Sequence, residues 1–330
     1  MIIITGQTAT GKTQLALEYA SKNKGELINF DARQIYQHLD IITGKDLTDH
    51  QFNFVKKIND FNIGYYQLPV VGSQLSENKK QTATNNQSSD NQQPIKIWLY
   101  DIVKPHQYFS SFDYRNLAMA VIADIISRGK TPILVGGSYL YLYHLLYQVE
   151  TENIPPDFEL REALKNFTVV ELQNKLNTLS CQSINRLNES DKNNPQRLIR
   201  KIEIAQYYQK LNQEIPLDFK YKINDYFSKI NFKIIGLKAK NKEMLKEKIT
   251  QRVEERLKNG AVEEVKKILR LGYLPDDPGL KTIGYQQVIK FINQEIDEQI
   301  MIKEWINKEM QYAKRQLTFM KKDQLIQWTE

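Results

Sequence analysis

The chain has 330 residues, 41% of them hydrophobic, with 46 Lys and Arg against 39 Asp and Glu for a net charge of +7. The single cysteine, Cys181, excludes an internal disulfide and a cysteine-based zinc site, and His38, His50, His106 and His144 lack the spacing of metal ligands. This length supports a sizeable core in two domains, or in one domain with an insertion, and the moderate basic excess suits a polyanionic partner without demanding one.

Met1 runs directly into Ile2, Ile3 and Ile4, a β-branched run that reads as a buried strand and leaves no room for a targeting segment. No apolar run is long enough to span a bilayer. The composition therefore predicts a cytoplasmic protein with no membrane partner. The Gly-rich stretch Gly6 to Thr13 follows, then an amphipathic helix carrying Leu15, Ala16, Leu17, Tyr19 and Ala20. Glu26 to Phe30 and Lys96 to Tyr100 read as strands ending at Asp31 and Asp101. Leu117 to Ser127 reads as a helix, and Thr131 to Val135 as a strand ending at Gly136-Gly137. Strands alternating with helices predict a parallel sheet, and Phe232 to Leu237 reads as a late strand returning to it. Residues 150–222 hold helical patterns at Glu159 to Asn166, Val169 to Leu179 and Pro195 to Leu211. They read as a helical insertion into a core of 1–149 and 223–330. From Lys242 to the end the chain reads as helical, with Lys314, Arg315, Phe319, Lys321, Lys322 and Trp328 interleaved. The Asn/Gln/Ser/Thr-rich stretch within 73–94 has too little apolar content to fold alone and reads as a disordered surface loop.

Gly6-Gln7-Thr8-Ala9-Thr10-Gly11-Lys12-Thr13 matches G-x-x-x-x-G-K-[ST] between a strand and a helix. Glycines let the backbone curl so that several N–H groups face one anion, and the helix N-terminus adds positive potential. Lys12 supplies a mobile cation, and the Thr13 hydroxyl is a Mg²⁺ ligand in such loops. The motif does not distinguish ATP, GTP or an allylic diphosphate. Together these readings give an α/β fold: a P-loop NTPase-like parallel sheet core with a helical insertion and basic C-terminal helices.

Six further elements, in order, carry a resemblance. Asp31-Ala32-Arg33-Gln34-Ile35-Tyr36 with Leu39-Asp40-Ile41 and Thr43-Gly44-Lys45 resembles the Asp-Ser-x-Gln-x-Tyr and Asp-Ile-Gly-Thr-Ala-Lys elements of the tRNA dimethylallyltransferase family. Asp113-Tyr114-Arg115, Val135 to Tyr141, Asn194 to Arg200, Ile283 to Gln287 and Tyr312 to Thr318 resemble the family's later elements. Ile42 stands where the family has glycine, Asp46 where it has proline, and Ser138 where it has threonine. Residues 47–94 match poorly, so the departures gather at the site's entrance more than at its chemistry.

The resemblance implies transfer of a dimethylallyl group from dimethylallyl diphosphate to N6 of the adenosine immediately 3′ of the anticodon, position 37, by a monomer. The loop amides, Lys12 and a Mg²⁺ held partly by Thr13 would take up charge on the departing diphosphate, joined by Arg252, which the resemblance alone lifts from the face of a charged helix. The residues themselves leave Asp31 open as a base, a helix cap or a Mg²⁺ ligand; the family pattern implies a general base acting on the adenine amine. It also implies tRNA contacts by Asp31, Ala32, Arg33, Gln34, Ser138, Arg161, Gln196, Arg197, Leu198, Ile199, Arg200, Lys281, Gly284, Tyr285 and Gln286. These would grip an anticodon stem-loop whose target base leaves its stack. Tyr36 reads equally as a stacking surface or a core tyrosine. Three alternatives remain: an adenylate isopentenyltransferase acting on free AMP, a P-loop small-molecule kinase, and a non-catalytic RNA-binding module. The kinase leaves the late elements unexplained, and the binding module leaves the P-loop and Asp31 unexplained.

Overall fold

The chain is described by a computed structural model, covering residues 1–45, 47, 51–68, 94–149, 151, 154–215 and 222–329. The 73–93 stretch, Asp46 and His50 lie outside the described residues. Two compact units emerge, one of residues 1–146 and 225–330 and one of 147–224.

The larger unit begins with β1 (Ile2–Gly6), α1 (Lys12–Lys22), β2 (Gly25–Asn29), β3 (Asn53–Ile58), β4 (Phe61–Leu68), β5 (Ile95–Trp98), α2 (Ser111–Ser127), β6 (Thr131–Val135) and α3 (Tyr139–Leu146). The smaller unit holds β7 (Tyr147–Gln148), α4 (Phe158–Leu164), α5 (Val169–Leu179), α6 (Cys181–Asn185), α7 (Glu189–Lys192), α8 (Pro195–Lys210) and β8 (Lys222–Ile223). The chain then returns to the first unit through α9 (Asp225–Ser228), β9 (Lys233–Leu237), α10 (Lys242–Lys258), α11 (Ala261–Arg270), α12 (Tyr285–Ile292), α13 (Glu298–Met320) and β10 (Ile326–Thr329).

One sheet of the larger unit runs β10-β9-β1-β6-β2-β5-β4-β3. The strands from β10 to β5 are parallel, which is why they read as near-continuous apolar runs: both faces are covered. Ile3 of β1 sits between Leu134 of β6 and Ile234 of β9, and all three are buried. The antiparallel hairpin β3–β4 closes one edge. The helical reading of the C-terminus fails at its last residues. Ile326 to Thr329 extend beside β9, where the side-chain-free Gly236 lets Ile326 and Trp328 lie against the backbone. Helix α2 starts with a reciprocal cap between Ser110 and Asp113, so the resemblance's Asp113 is a helix-capping residue.

In the smaller unit, Leu164, Leu172, Leu176, Leu198, Ile202 and Ala205 form a core of their own. Helix α5 is capped reciprocally by Thr168 and Glu171, and α8 by Asn194 with Pro195 at its first position. Among the described residues no helix is long and apolar enough to cross a membrane.

Candidate active site

The carboxyl ends of β1, β2 and β6 are neighbours in the sheet, and that edge is where open α/β sheets hold ligands. After β1 the backbone turns through Gly6 (φ 141), Ala9 (φ 59) and Gly11 (φ 84) before α1 begins. Any side chain at Gly6 would collide with the Leu237 carbonyl oxygen. Gln7 is buried and fixes the loop, donating to the Ala313 carbonyl (3.3 Å) and accepting from the Ala239 amide (3.0 Å). Thr10 Oγ1 donates to the Gln7 carbonyl (2.8 Å), and Lys12 Nζ rests on the same oxygen at 2.5 Å. The first-turn amides of α1 have no intrahelical acceptor, so they point at the loop mouth with the helix's positive end. Burial, with Arg252 and Arg33 nearby, lowers Lys12 to about 8 despite Asp31.

Helix α13 ties this loop to the next. Gln316 accepts from the Thr8 amide (2.9 Å) and donates to the Gly137 carbonyl (2.9 Å). A Cβ on Gly137 would overlap Gln316 Nε2 and stand 3.6 Å from Asp31 Oδ2, so a side chain there would push Gln316 off its bridge. The Thr8 amide is therefore already engaged. Asp31 follows β2 in a tight turn, its Oδ1 accepting from the Arg33 amide (3.0 Å) and its own amide donating to Asn29 (2.9 Å). Ser138 Oγ accepts from the Ala32 amide (2.8 Å) and bonds Tyr312, whose phenol burial pushes up to about 12. Gln34 donates to the carbonyls of Thr43 (3.3 Å) and Gly44 (2.9 Å), and Gly44 packs against the guanidinium groups of Arg252 and Arg256. Arg252 Nη1 donates to Thr8 Oγ1 at 3.3 Å, so the structure brings Arg252 to the phosphate loop.

The remaining expected contact residues divide. Arg33 pairs with Glu309 (2.8 Å) and lies 4.1 Å from the centre of the Tyr312 ring. Tyr285 is fully buried and donates to Glu264 (2.6 Å), while Gly284 lets Ile42 and Trp305 close over the helix start. Glu264 in turn accepts from the Asp40, Ile41 and Ile42 amides, so Tyr285 is a support beneath the Leu39–Lys45 loop, not a surface contact. Ile42, the departure from glycine, is 1% exposed and fills this core. Gln286 bonds the carbonyls of Pro275 and Leu280 (both 2.9 Å), and Lys281 is exposed beside Asp276. Tyr36 is 7% exposed and belongs to the core.

In the smaller unit, Gln196 and Arg197 are exposed, and Arg197 pairs with Asp191. Leu198 is buried in that unit's core, which corrects its reading as a contact; Ile199 packs partly on the same core. Arg161 and Arg200 both grip Glu203, at 2.5 and 2.9 Å, and Arg200 also donates to the Thr151 and Ile154 carbonyls. Both arginines are half-buried and brace the unit through this buried carboxylate. Burial opposes charge on Glu203, and the two arginines outweigh it, leaving the carboxyl below its ordinary value.

Tyr312 and Gln316 lie in the last resembling element but carried no assigned role, and Arg256 and Glu309 carried none either. The signal was present: Met301, Trp305, Glu309, Ala313, Gln316 and Met320 recur at helical spacing and are all buried, so the two polar members face inward. Among the described residues no group of three His, Cys, Asp or Glu could cage a metal. A lone exposed Thr13 hydroxyl beside a phosphate cradle fits Mg²⁺, which keeps waters and takes phosphate oxygens as ligands.

A parallel α/β sheet with a P-loop, flanking cations and a carboxylate at one edge defines a P-loop enzyme that handles a phosphate compound. The comparisons narrow this. The IPP transferase family model matches residues 79–323. A tRNA dimethylallyltransferase of Parabacteroides distasonis is 32% identical over 321 residues, covering 97% of this chain and 88% of that protein. The crystal structure of a tRNA isopentenylpyrophosphate transferase from Staphylococcus epidermidis matches with TM-score 0.58 and 26% identity, over 99% of this chain and 92% of that one. A eukaryotic dimethylallyltransferase acting on tRNA shares the fold at TM-score 0.64 and 22% identity, over 97% and 69%. This chain belongs to the IPP transferase family, the tRNA dimethylallyltransferases.

Proposed function

We propose that the chain transfers the dimethylallyl group of dimethylallyl diphosphate to N6 of the adenosine immediately 3′ of the anticodon, releasing diphosphate. The observation that carries this reading is the Gln316 bridge. It joins the phosphate loop at Thr8 to Gly137, whose missing side chain leaves Asp31 Oδ2 close by. An anion cradle and a carboxylate on one sheet edge suit an alkylation in which a diphosphate leaves as a weakly nucleophilic amine attacks. Lys12, Arg252 and the free loop amides accept the developing charge, and Asp31 orients the adenine amine and takes its proton. Thr13 would hold Mg²⁺, which when bound neutralises diphosphate oxygens. Ala32, Gln34 and Ser138 surround the base, which must leave its stack at a cost of a few kcal/mol. Gln196 and Arg197 offer exposed donors to the RNA, as do Lys281 and, on α13, Lys314 and Arg315.

The test is prenyl transfer from labelled dimethylallyl diphosphate with Mg²⁺ to an unmodified anticodon stem-loop, with AMP and ATP in parallel. Label at the adenosine 3′ of the anticodon is the expected result. Label in AMP moves the acceptor to a free nucleotide, and ATP consumption without prenyl transfer returns the kinase reading.

A further inference from the structure

Glu309 is 3% exposed on α13 and sits among cations from three other segments. Its Oε1 lies 2.8 Å from Arg33 Nη1 and 3.7 Å from Arg256 Nη1, while Oε2 is buried without a partner. Arg252 and Lys12 lie within electrostatic reach of it. Holding a carboxylate out of water is costly unless charge is offset, so this one marks an arrangement that α13 maintains. Arg33 is the informative partner. It stands two residues after Asp31, in the same turn, at the position that the family pattern Asp-Ser-x-Gln-x-Tyr leaves open. Its guanidinium has one buried nitrogen, Nη2, with no partner, and it makes its ion pair with Glu309, not with Asp31. The groups facing Asp31 are Lys12 from α1, Tyr141 from α3, Tyr312 from α13 and Arg33 itself. A guanidinium two residues along from a carboxylate and within its electrostatic reach has one obvious alternative partner: a bidentate fork on Asp31. That pairing would occupy the oxygen a base needs and hold the carboxylate in an ion pair away from the substrate amine.

We propose that Glu309 is a positioning residue that draws the Arg33 guanidinium away from Asp31 and keeps Asp31 Oδ2, the oxygen not engaged by the Arg33 amide, open to the substrate amine. This rests on the reading of Asp31 as the general base. Tyr312 assists, since its ring lies under the guanidinium and fixes its plane.

The experiment measures kcat and KM for dimethylallyl transfer to the stem-loop across pH 5–9 in wild type, Glu309→Gln, Arg33→Met, the double variant and Asp31→Ala. Glu309→Gln keeps shape but releases Arg33. Its kcat falls about tenfold at neutral pH with KM for the diphosphate little changed, and the acidic limb of the profile moves down by about one unit. In Arg33→Met the limb does not move down, because no guanidinium is left to pair with Asp31; this variant tests the proposal even should Glu309→Gln fail to fold. The double variant loses the downward displacement and recovers most of the kcat. Equal losses in Glu309→Gln and the double variant, with the limb in place, overturn the proposal and reduce Glu309 to packing. Asp31→Ala separates the two readings: turnover about a hundredfold slower supports the base. Wild-type turnover there removes the base and the positioning role together, whereas a slow Asp31→Ala beside an unaffected Glu309→Gln removes the positioning role alone.

Discussion

Lys12 is where burial and function conflict most openly. Its ammonium is desolvated beside Arg252 and Arg33, which lowers it to about 8 from the usual 10.5, and Asp31 offsets only part of this. Because the folded pKa is the lower one, the unfolded chain binds more protons between pH 8 and 10.5. Stability from this group therefore rises with pH across that window, and below pH 8 a constant penalty remains. On the proposed reading, diphosphate bound at this loop would supply the missing anion and restore the proton. Calorimetric titration with inorganic diphosphate at pH 8, in two buffers of different ionisation enthalpy, is expected to show uptake of a fraction of a proton. In Lys12→Met that uptake disappears and affinity falls at least tenfold. Uptake that persists in the variant would assign the proton to another group. The same ionisation predicts a diphosphate KM that climbs as pH rises above 8.

Elements carry a second kind of tension, polar side chains packed where apolar ones are expected. Glu26 is 1% exposed in the middle of the sheet, yet it is clasped by Arg128 (2.6 and 2.7 Å), Trp98 Nε1 (2.8 Å) and Lys130 (3.2 Å). Burial pushes its carboxyl up, but these donors outweigh it and bring it down to about 2. A depressed carboxyl stabilises above its unfolded value of 4.5, and that contribution is lost as pH falls towards 2. Glu26→Ala is expected to cost about 1–3 kcal/mol, since it leaves the buried Trp98 Nε1 without its acceptor while the exposed Arg128 keeps Asp124, and to flatten the acid side of the stability curve. Chemical denaturation at pH 7 and pH 3 measures both. On α13, Gln316→Ala leaves the Thr8 amide and Gly137 carbonyl without their shared partner, so about 1–3 kcal/mol and some diphosphate affinity are lost together. These cases also mark how far the sequence could be read. Buried parallel strands announce themselves as β-branched runs, and the phosphate loop as a spaced motif, so β1, β2, β5, β6 and β9 were each legible to within a residue or two. The β3–β4 hairpin was not, because β3 exposes Lys56 and Lys57 at the sheet edge and shows no apolar alternation. Strand β10 is four residues long and follows a basic helix, so its period is hidden. The roles of Glu309 and Gln316 were not legible because their partners, Arg33, Thr8 and Gly137, are far away in sequence.

At the scale of the whole molecule the question is whether the net charge of +7 attracts RNA as a diffuse field or through particular cations. Distance decides it. The hairpin with exposed Lys56 and Lys57 lies three strands from β2, roughly 14 Å at sheet spacing, and Lys57 is already paired with Asp60. That exceeds the screening length of about 8 Å in physiological salt. Lys314 and Arg315 are exposed within one helical turn of Tyr312 and Gln316, so on the proposed reading phosphates flanking the base would pass close to them. Removing either pair of cations lowers the net charge by two. Only Lys314→Ala/Arg315→Ala is expected to reduce the salt dependence of stem-loop binding, by about 0.7–0.9 in the slope of log K against log salt for each RNA phosphate that is no longer neutralised. Lys56→Ala/Lys57→Ala should leave the slope where it was. Fluorescence anisotropy with the stem-loop between 50 and 300 mM salt reads the slopes directly. Equal reductions in the two double variants would mean that the RNA senses overall charge, and would withdraw α13 from the interface.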